Sequence, residues 1–327
     1  MTIRWGILGC GDVARRRVAG AIQQDAESEL LAACRRNSEA LQQFCGEFGV
    51  PRGYSDEVDL IADPDIDAVY IATPVDRHLL QTLACAGVGK HVLCEKPMAM
   101  SISECDEMIS ACRQAGVRLG VAYYRRCYPV IERIRGLVRE GRIGTVLSVT
   151  AVTATPFSFA PGQDGYWRVV LEEGGGGALM DIGSHRLNLF LDLFGPISDV
   201  RGFCQTRAGD FAADDSAVFT VRFAQGCLGS LQCYFGVAVD PDEFVVVGTG
   251  GRLVATPLND GNLTIETAAG VEVEAHPPEE NFNLPLITDF VGAIRDNRSP
   301  LVDGDEGRAT NEVIERAYAL GLPADDG

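Results

Sequence analysis

The sequence predicts an α/β protein of two domains, in which a doubly wound parallel sheet is followed by an α+β domain with an antiparallel sheet. In the first third of the chain, short apolar runs alternate with helical segments, which is typical of a parallel sheet covered by helices on both faces. After residue 124 the strands lengthen and alternate apolar with polar residues. The 327 residues suffice for about two domains, and we expect them at 1–123 and 124–327.

The first domain is expected to alternate strand and helix. Its apolar runs predict strands at Ile3–Leu8, Leu30–Cys34, Asp67–Thr73, His91–Cys94 and Val117–Ala122. The segments between these runs predict helices at 13–24, 39–48, 79–86 and 103–115. Because a helix separates successive strands, we expect all the strands of this sheet to be parallel.

The second domain begins with an amphipathic helix and continues into longer strands. Apolar residues from Val130 to Val138 share one helical face, and Gly141 ends that helix. Neighbouring strands that alternate in polarity predict an antiparallel sheet at Ala217–Phe223, Gly229–Phe235, Glu243–Val247 and Arg252–Ala255. Two helices, at about 286–294 and 310–320, are predicted near the end of the chain.

The composition excludes several classes of partner. The chain has 28 Lys and Arg against 46 Asp and Glu, a formal charge of −18, which disfavours nucleic acid because phosphate binding relies on clustered basic residues. No apolar run reaches the ~18 residues of a membrane span, and we find no secretory signal segment before the first strand. The 11 cysteines lack the spacing of a metal site. We therefore expect reduced thiols, no bound metal and a cytoplasmic protein.

The segment Gly9–Ala14 fits the phosphate-binding pattern G-x-G-x-x-[GA] and lies between the first strand and the first helix. Gly9 permits the tight turn, and Gly11 lets the backbone approach a pyrophosphate. Asp12 and Val13 open the helix, whose N-terminus favours an anion. We expect these four residues to bind a dinucleotide, whereas a mere tight turn is the alternative.

The end of the second strand predicts which dinucleotide is bound. Chains that bind NAD have an acidic residue there, about 20 residues past the glycine motif, which bonds the ribose 2′-hydroxyl. This chain has Arg35 and Arg36 instead. A guanidinium pairs with a 2′-phosphate through charge-assisted hydrogen bonds, so we expect NADP, with NAD as the alternative cofactor. Two solvated surface arginines are the other interpretation.

Four side chains are candidates for the chemistry. Lys96 and His78 each follow a parallel strand, at the edge where doubly wound sheets bind ligands. A helix that begins near Asp181 would place Asp181 and His185 on one face, and the glycines before it would let a ligand or the other domain approach. A histidine could take a hydroxyl proton while the lysine stabilises the alkoxide. A surface lysine and an ordinary polar pair are the alternatives.

These features together resemble the glucose–fructose oxidoreductase / inositol dehydrogenase / MocA (Gfo/Idh/MocA) family. The resemblance covers nearly the whole chain and rests on the strings GILGCGDVA, DAVYIATPVDRH, HVLCEKP, GGGALMDIGSH and ENFNLPLITDFVGAI. It implies a Rossmann domain at 1–123 and a substrate-binding domain at 124–327 with a large, mainly antiparallel open sheet. It also implies an NAD(P)-dependent dehydrogenase or reductase of CH–OH groups that forms dimers or tetramers through that sheet.

The resemblance also implies roles for particular residues. Lys96 matches the lysine that contacts the nicotinamide ribose and the substrate, and Arg35 matches an arginine of NADP-preferring members. Asp181 matches the substrate-binding acid, and His185 matches the proton-transfer histidine. The family's further nucleotide-contact segments cover Thr73, Pro74, His78 and Glu95.

The substrate side of the resemblance includes one departure from the family. Trp167 and Arg168 resemble a substrate-side segment, in which an aromatic ring and a guanidinium suit the faces and hydroxyls of a sugar; a packed tryptophan is the alternative. Asn188 stands where many members have aspartate. This difference bears on a substrate contact or on a residue that supports one.

Three functions are compatible with these residues. The first is an NADP-dependent oxidoreductase acting on a sugar, cyclitol or related diol, with Lys96, Asp181 and His185 as its catalytic residues. The second is a glycoside-cleaving member of the family that keeps its nicotinamide bound and uses it transiently. The third is a non-catalytic sensor that binds NADP and a partner protein, against which the three intact catalytic candidates argue.

Overall fold

The computed structural model describes residues 2–321, and they form two compact units. Unit 1 comprises the chain up to Tyr124 together with Glu280–Arg308, and unit 2 comprises Arg125–Glu279 and the chain from Ala309 onward. The sequence predicts a second domain at 124–327. In the structure, Glu280–Arg308 belongs instead to unit 1. Residues 322–327 of that predicted domain lie outside the described part of the chain.

Unit 1 is built on a six-stranded parallel sheet in the order β3-β2-β1-β4-β5-β6. Its strands are β1 (Ile3–Leu8), β2 (Ser28–Cys34), β3 (Arg52–Tyr54), β4 (Ala68–Ile71), β5 (His91–Cys94) and β6 (Leu119–Val121). β1 pairs with both β2 and β4, so the strand order reverses beside β1. This is the position at which open α/β sheets bind ligands, and the predicted doubly wound sheet is confirmed.

Helices connect these strands, and local capping explains where several of them begin and end. They are α1 (Ala19–Gln24), α2 (Ser38–Phe48), α3 (Glu57–Ala62), α4 (His78–Gly87) and α5 (Ile102–Ala115). A π-helical turn, Ala14–Val18, leads into α1. The side chain of Ser101 accepts from the Glu104 amide at the start of α5, and Gly116 ends that helix in the left-handed conformation.

Unit 2 is built on an eight-stranded open sheet in the order β14-β13-β12-β11-β7-β10-β9-β8. Its strands are β7 (Val146–Thr155), β8 (Ile197–Gln205), β9 (Ser216–Phe223), β10 (Leu228–Phe235), β11 (Glu243–Gly248), β12 (Gly251–Ala255), β13 (Asn262–Thr267) and β14 (Gly270–Ala275). Only the pairing of β7 with β10 is parallel within this sheet. The predicted large, mainly antiparallel sheet is confirmed.

Unit 2 contains the helices α6 (Pro129–Arg139), α7 (Leu171–Gly174) and α8 (Ser184–Phe194), together with most of the helix that ends the described chain. Of these, α8 packs on one face of the sheet. Phe190 of α8 packs edge-on against Phe223 and Phe244 of the sheet, with ring centroids 6.0 Å apart in both pairs. The opposite face leaves large apolar side chains exposed, among them Phe203 and Val218, which are direct partners in β8 and β9.

The last part of the chain first returns to unit 1. Helix α9 (Leu284–Arg295) places Phe290 with its ring centroid 5.7 Å from that of the fully buried Trp5 of β1. A side chain at Gly120 of β6 would collide with the Phe290 ring, so this glycine lets α9 pack closely on the sheet. Helix α10 (Gly304–Gly321) follows α9.

No helix within residues 2–321 is both long enough and apolar enough to span a lipid bilayer.

Candidate active site

The glycine loop after β1 has the geometry of a phosphate-binding turn. Gly9 has φ +88°, and a Cβ there would lie 2.7 Å from the carbonyl carbon and oxygen of Ala72, so only glycine fits. Gly11 differs, because a Cβ at this position would meet no described atom within 4 Å. The protein's own packing therefore does not require glycine at position 11. The open space beside Gly11 fits the close approach of a pyrophosphate.

Arg35 lies directly beside this loop. Its guanidinium donates from Nη1 to the carbonyl oxygen of Cys10, at 2.7 Å, and the side chain is half-buried. Arg36, the next residue, is exposed. Burial raises the pKa of the Cys10 thiol to about 12, so this thiol stays protonated at neutral pH. The structure thus brings Arg35, and not Arg36, into contact with the predicted phosphate loop.

His78 ties together the two segments that follow β4 and β5. Its Nε2 lies 3.0 Å from the carbonyl oxygen of Thr73, and its Nδ1 lies 3.1 Å from that of Pro97. The imidazole is 1% exposed, and this burial lowers its pKa. Both ring nitrogens therefore face the chain's own backbone. The ring joins these segments within unit 1, and the nucleotide contact that the family resemblance implies for His78 stays a prediction.

Thr73 and Pro74, which follow β4, are both half-buried. Thr73 donates from its hydroxyl to Gln81 Oε1 at 2.7 Å, and Gln81 in turn donates to Glu57 Oε2 at 2.6 Å. Pro74 is half-buried and precedes a short 3₁₀ turn that leads into α4. The Thr73 side chain is thus oriented by residues of α3 and α4.

Glu95 and Lys96 follow β5 and are held by a hydrogen-bond network. The Glu95 carboxylate accepts from the Tyr70 hydroxyl at 2.8 Å and from the Lys96 amide at 3.1 Å. Asn283, just before α9, donates to the Tyr70 oxygen at 3.3 Å. Lys96 is half-buried, and the Lys96–Pro97 peptide is cis. Tyr70 and Asn283 thus hold the segment that carries the candidate lysine, and sequence reasoning missed both of them.

In unit 2, Asp181 and His185 lie on one continuous helix, as the sequence predicted. It begins with a π-helical turn, Leu179–Gly183, and continues as α8; we call residues 179–194 the site helix. Asp181 is half-buried in the π-helical turn, and His185 is 5% exposed one turn further on.

Arg168 connects the site helix to the predicted substrate segment. Its Nε lies 3.4 Å from Asp181 Oδ2, and its Cζ lies over the Trp167 ring, 4.6 Å from the centroid. Arg168 also donates to the carbonyl oxygen of Gly165 at 3.3 Å. Unit 2 therefore brings Trp167, Arg168 and Asp181 together. A carboxylate, a guanidinium and an aromatic ring in contact are groups that suit the hydroxyls and the apolar face of a sugar.

Asn188, the departure from the family pattern, lies in the interior. It is fully buried in α8, and its Nδ2 donates to the Thr310 hydroxyl of α10 at 3.1 Å. This contact joins two helices of unit 2. The side chain thus packs inside the unit.

The glycine run before the site helix admits residues of its own unit. The sequence suggested that it makes room for a ligand or for the other domain. In the structure, a Cβ at Gly177 would overlap the main-chain oxygen of Asp214, and one at Gly176 would overlap the Tyr318 hydroxyl. These two glycines therefore make room for Tyr318 and Asp214 of their own unit. Asp214 and Tyr318 lie far along the chain, and no local pattern marks them.

Comparisons with known proteins cover both halves of the chain. Residues 3–123 match the family model described as an oxidoreductase family with an NAD-binding Rossmann fold, and residues 131–254 match the GFO/IDH/MocA C-terminal domain. The 1,5-anhydro-D-fructose reductase of Ensifer adhaerens is 31% identical, with 98% of each chain covered. The D-xylose 1-dehydrogenase (NADP(+)) 2 of Haloferax volcanii is 29% identical, with 96% of this chain and 96% of the relative covered.

A solved structure extends the similarity to the whole fold. The aldose-aldose oxidoreductase from Caulobacter crescentus, crystallised with glycerol, superimposes with a TM-score of 0.89 at 29% identity, covering 98% of this chain and 97% of that one. Together with the glycine loop and the open sheet, these matches define an NAD(P)-dependent dehydrogenase or reductase. The chain belongs to the Gfo/Idh/MocA family, as its motifs indicated.

Proposed function

We propose that this protein is an NADP(H)-dependent oxidoreductase that interconverts a CH–OH and a C=O group of a sugar, cyclitol or related diol. The observation that carries this proposal is the site helix, on which Asp181 contacts Arg168 beside the Trp167 ring and His185 follows one turn later. The two relatives and the solved structure described above are named for sugar substrates, which supports the same substrate class for this chain.

The cofactor assignment rests on Arg35. The interpretation of Arg35 as a solvated surface residue is disfavoured because its guanidinium is half-buried and bonded to the carbonyl of Cys10 in the glycine loop. That position suits a 2′-phosphate, which an arginine binds better than it binds a neutral hydroxyl. Arg36 is exposed, and we expect it to contact this phosphate less closely than Arg35 does. The family description names NAD, and the name of one relative includes NADP(+).

The proposed chemistry divides the roles among the chain's own residues. The bound dinucleotide supplies or accepts the hydride. His185 takes the hydroxyl proton of the alcohol and returns it to the carbonyl in the reverse direction. Lys96, held by the Glu95 segment, stabilises the developing alkoxide with its ammonium group. Asp181 and Arg168 bind the sugar hydroxyls as an acceptor and a donor.

A cofactor-binding experiment tests the assignment of Arg35. We expect NADPH to bind more tightly than NADH, and Arg35→Asp to reverse the order with a change of about tenfold or more in the ratio of the two Kd values, equivalent to about 1.4 kcal/mol. Arg36→Asp introduces the same charge change one residue away and should shift the ratio less. An unchanged ratio in Arg35→Asp would remove the NADP assignment.

A substrate screen tests the reaction class. Aldoses and polyols with NADP⁺, and 1,5-anhydro-D-fructose with NADPH, can be followed by nicotinamide absorbance, with NAD⁺ and NADH in parallel. In the best reaction we expect His185→Asn to lower kcat by about 10²- to 10⁴-fold. If His185→Asn or Lys96→Ala retained the wild-type kcat, the proposed mechanism would fail.

We also propose that two copies associate through the exposed face of the open sheet. That face carries large apolar side chains that are 42–78% exposed, namely Phe203, Val218, Leu228, Val271 and Val273. Exposed apolar patches of this kind mark interaction sites, and the family resemblance implies a dimer or tetramer.

We also propose a cytoplasmic location, which is supported by the cysteines, because they are free thiols and mostly buried.

A further inference from the structure

Asp214 binds the amides at the start of the site helix. Its Oδ1 accepts from the Gly177 amide at 2.8 Å and from the Tyr318 hydroxyl at 2.7 Å, and its Oδ2 accepts from the Leu179 amide at 2.9 Å. Its main-chain oxygen accepts from the Ala178 amide at 2.9 Å. Three consecutive amides are therefore bound by one residue, which is only 4% exposed.

Electrostatic effects act on this cap in two opposing directions. A carboxylate at a helix N-terminus is stabilised by the helix dipole and by the otherwise unsatisfied amides. Burial raises the pKa of Asp214, and the hydrogen bonds from Tyr318, Leu179 and Gly177 oppose that rise. Gly176 and Gly177 provide the close approach that the contacts need. The cap therefore depends on residues from three separate parts of unit 2.

The cap acts on the turn that carries the chemistry. Asp181 lies two residues after the bound amide of Leu179, in a π-helical turn, and its own amide donates to the Gly177 carbonyl at 2.9 Å. π-Helical turns are uncommon and depend on specific support. Further along, Arg186 forms a buried ion pair with Asp242, which anchors the middle of the same helix. The start and the middle of the site helix are thus each held by a buried carboxylate.

We propose that Asp214, oriented by the Tyr318 hydroxyl, is a positioning residue that sets the register of the site helix and so places Asp181 and His185 for proton transfer. The inference rests on the proposed function of that helix. Asp214 itself does not touch the reacting groups in this assignment.

The neighbouring residue provides a matched control. Asp215 is also buried, at 1% exposed, and its carboxylate also accepts from consecutive amides, those of Arg207, Ala208 and Gly209. Those amides belong to the loop after β8 and not to the site helix. Asp215→Asn therefore removes an equivalent cap, one residue away, without touching the start of the helix.

Histidine NMR on the full-length protein tests the proposal without a substrate. The chain has four histidines, so the His185 resonances can be identified by their loss in His185→Asn. We expect Asp214→Asn to shift these resonances and to move the His185 titration midpoint by about 0.5 pH unit or more, and Tyr318→Phe to act in the same direction but less. Asp215→Asn should leave the midpoint unchanged.

Activity provides the second measurement, with 1,5-anhydro-D-fructose and NADPH as the probe. We expect Asp214→Asn to lower kcat by about 10- to 100-fold, with little change in the Kd of NADPH because the predicted nucleotide residues lie in unit 1. Asp215→Asn should retain the wild-type kcat even if its thermal midpoint falls.

Several results would overturn the inference. One is an Asp214→Asn protein that loses thermal stability but keeps the His185 midpoint; another is an Asp215→Asn protein with the same midpoint shift. If Asp214→Asn does not fold, Tyr318→Phe decides alone: it removes the hydroxyl that orients the Asp214 carboxylate, and an unchanged His185 midpoint in that variant refutes the proposal. Wild-type kcat in His185→Asn would refute the proposed function instead, while the NMR comparison would still decide the role of Asp214.

Discussion

Gly9 and Gly11 stand two residues apart, yet the structure predicts opposite consequences of substituting them. Gly9→Ala forces a positive φ on alanine and brings Cβ against Ala72, so we expect the free energy of unfolding to fall by about 1–3 kcal/mol from backbone strain alone. Urea denaturation of the full chain measures this loss. A variant as stable as the wild type would show that the loop can relax.

We expect Gly11→Ala to weaken NADPH binding while leaving the free energy of unfolding nearly unchanged. A Cβ at this position meets open space among the described residues, so we expect the free energy of unfolding to change by less than about 1 kcal/mol. The same Cβ would occupy the space assigned to the pyrophosphate, and the Kd of NADPH should rise about tenfold or more. Isothermal titration alongside the urea experiment measures both quantities. Unchanged NADPH binding would contradict the placement of the phosphate at this loop.

His78 should make stability depend on pH. Because burial lowers its pKa in the folded protein, the unfolded chain takes up the His78 proton first as the pH falls below about 6.5. The free energy of unfolding therefore decreases from that pH downward, and the charge of Glu95 opposes the effect only in part. In His78→Asn this decrease between pH 7 and 5 should be shallower, as urea titrations at several pH values can show. An identical slope would mean that other groups account for it.

At the scale of the element, helix α9 packs against a sheet whose strands lie much earlier in the chain. Phe290→Ala removes the ring beside the buried Trp5, and we expect a loss of about 3–5 kcal/mol in the free energy of unfolding. The fluorescence of Trp5, isolated by Trp167→Phe, reports this transition because the chain has only two tryptophans. Leu80→Ala, at a position 58% exposed on α4, should change stability by less than about 0.5 kcal/mol. Equal losses in the two variants would contradict the packing role of α9.

Elements with strong local patterns were predictable, and those defined by distant partners were not. The apolar run at Ile3–Leu8 gives β1 with its observed bounds, and the glycine pattern places the phosphate loop. β3 (Arg52–Tyr54) was missed because it is short and polar. β7 was missed too, although it lies inside the open sheet, because its serine and three threonines weaken the apolar pattern.

The candidate site shows the same division between local and distant information. Lys96, Asp181 and His185 stand in recognisable strings, so the sequence could indicate them. Their supports could not be found in this way, because the Asn283–Tyr70 bond spans 213 residues and the Tyr318–Asp214 bond spans 104. Side-chain hydrogen bonds over such separations leave no periodic signal in a single sequence.

At the scale of the whole molecule, association can be tested on the open sheet. Phe203 and Val218 are exposed and paired across β8 and β9, so an aspartate at either position would place a charge within the proposed interface. We expect light scattering to show a multiple of 35.1 kDa for the wild type and a monomer for Phe203→Asp. Val239→Asp, at a loop position that is 75% exposed, is the control. A monomeric wild type at micromolar concentration would exclude the proposed interface.

The return of Glu280–Arg308 to unit 1 imposes an order on synthesis. The ribosome makes the parallel sheet first, but the helix that covers Trp5 and the asparagine that bonds Tyr70 appear only after all of Arg125–Glu279 has been translated. At ~5–20 residues per second, that delay is about 10–30 s. During this interval the nascent sheet exposes apolar surface that α9 later covers. The unit whose synthesis begins first is thus completed only after the strands of unit 2 have been made.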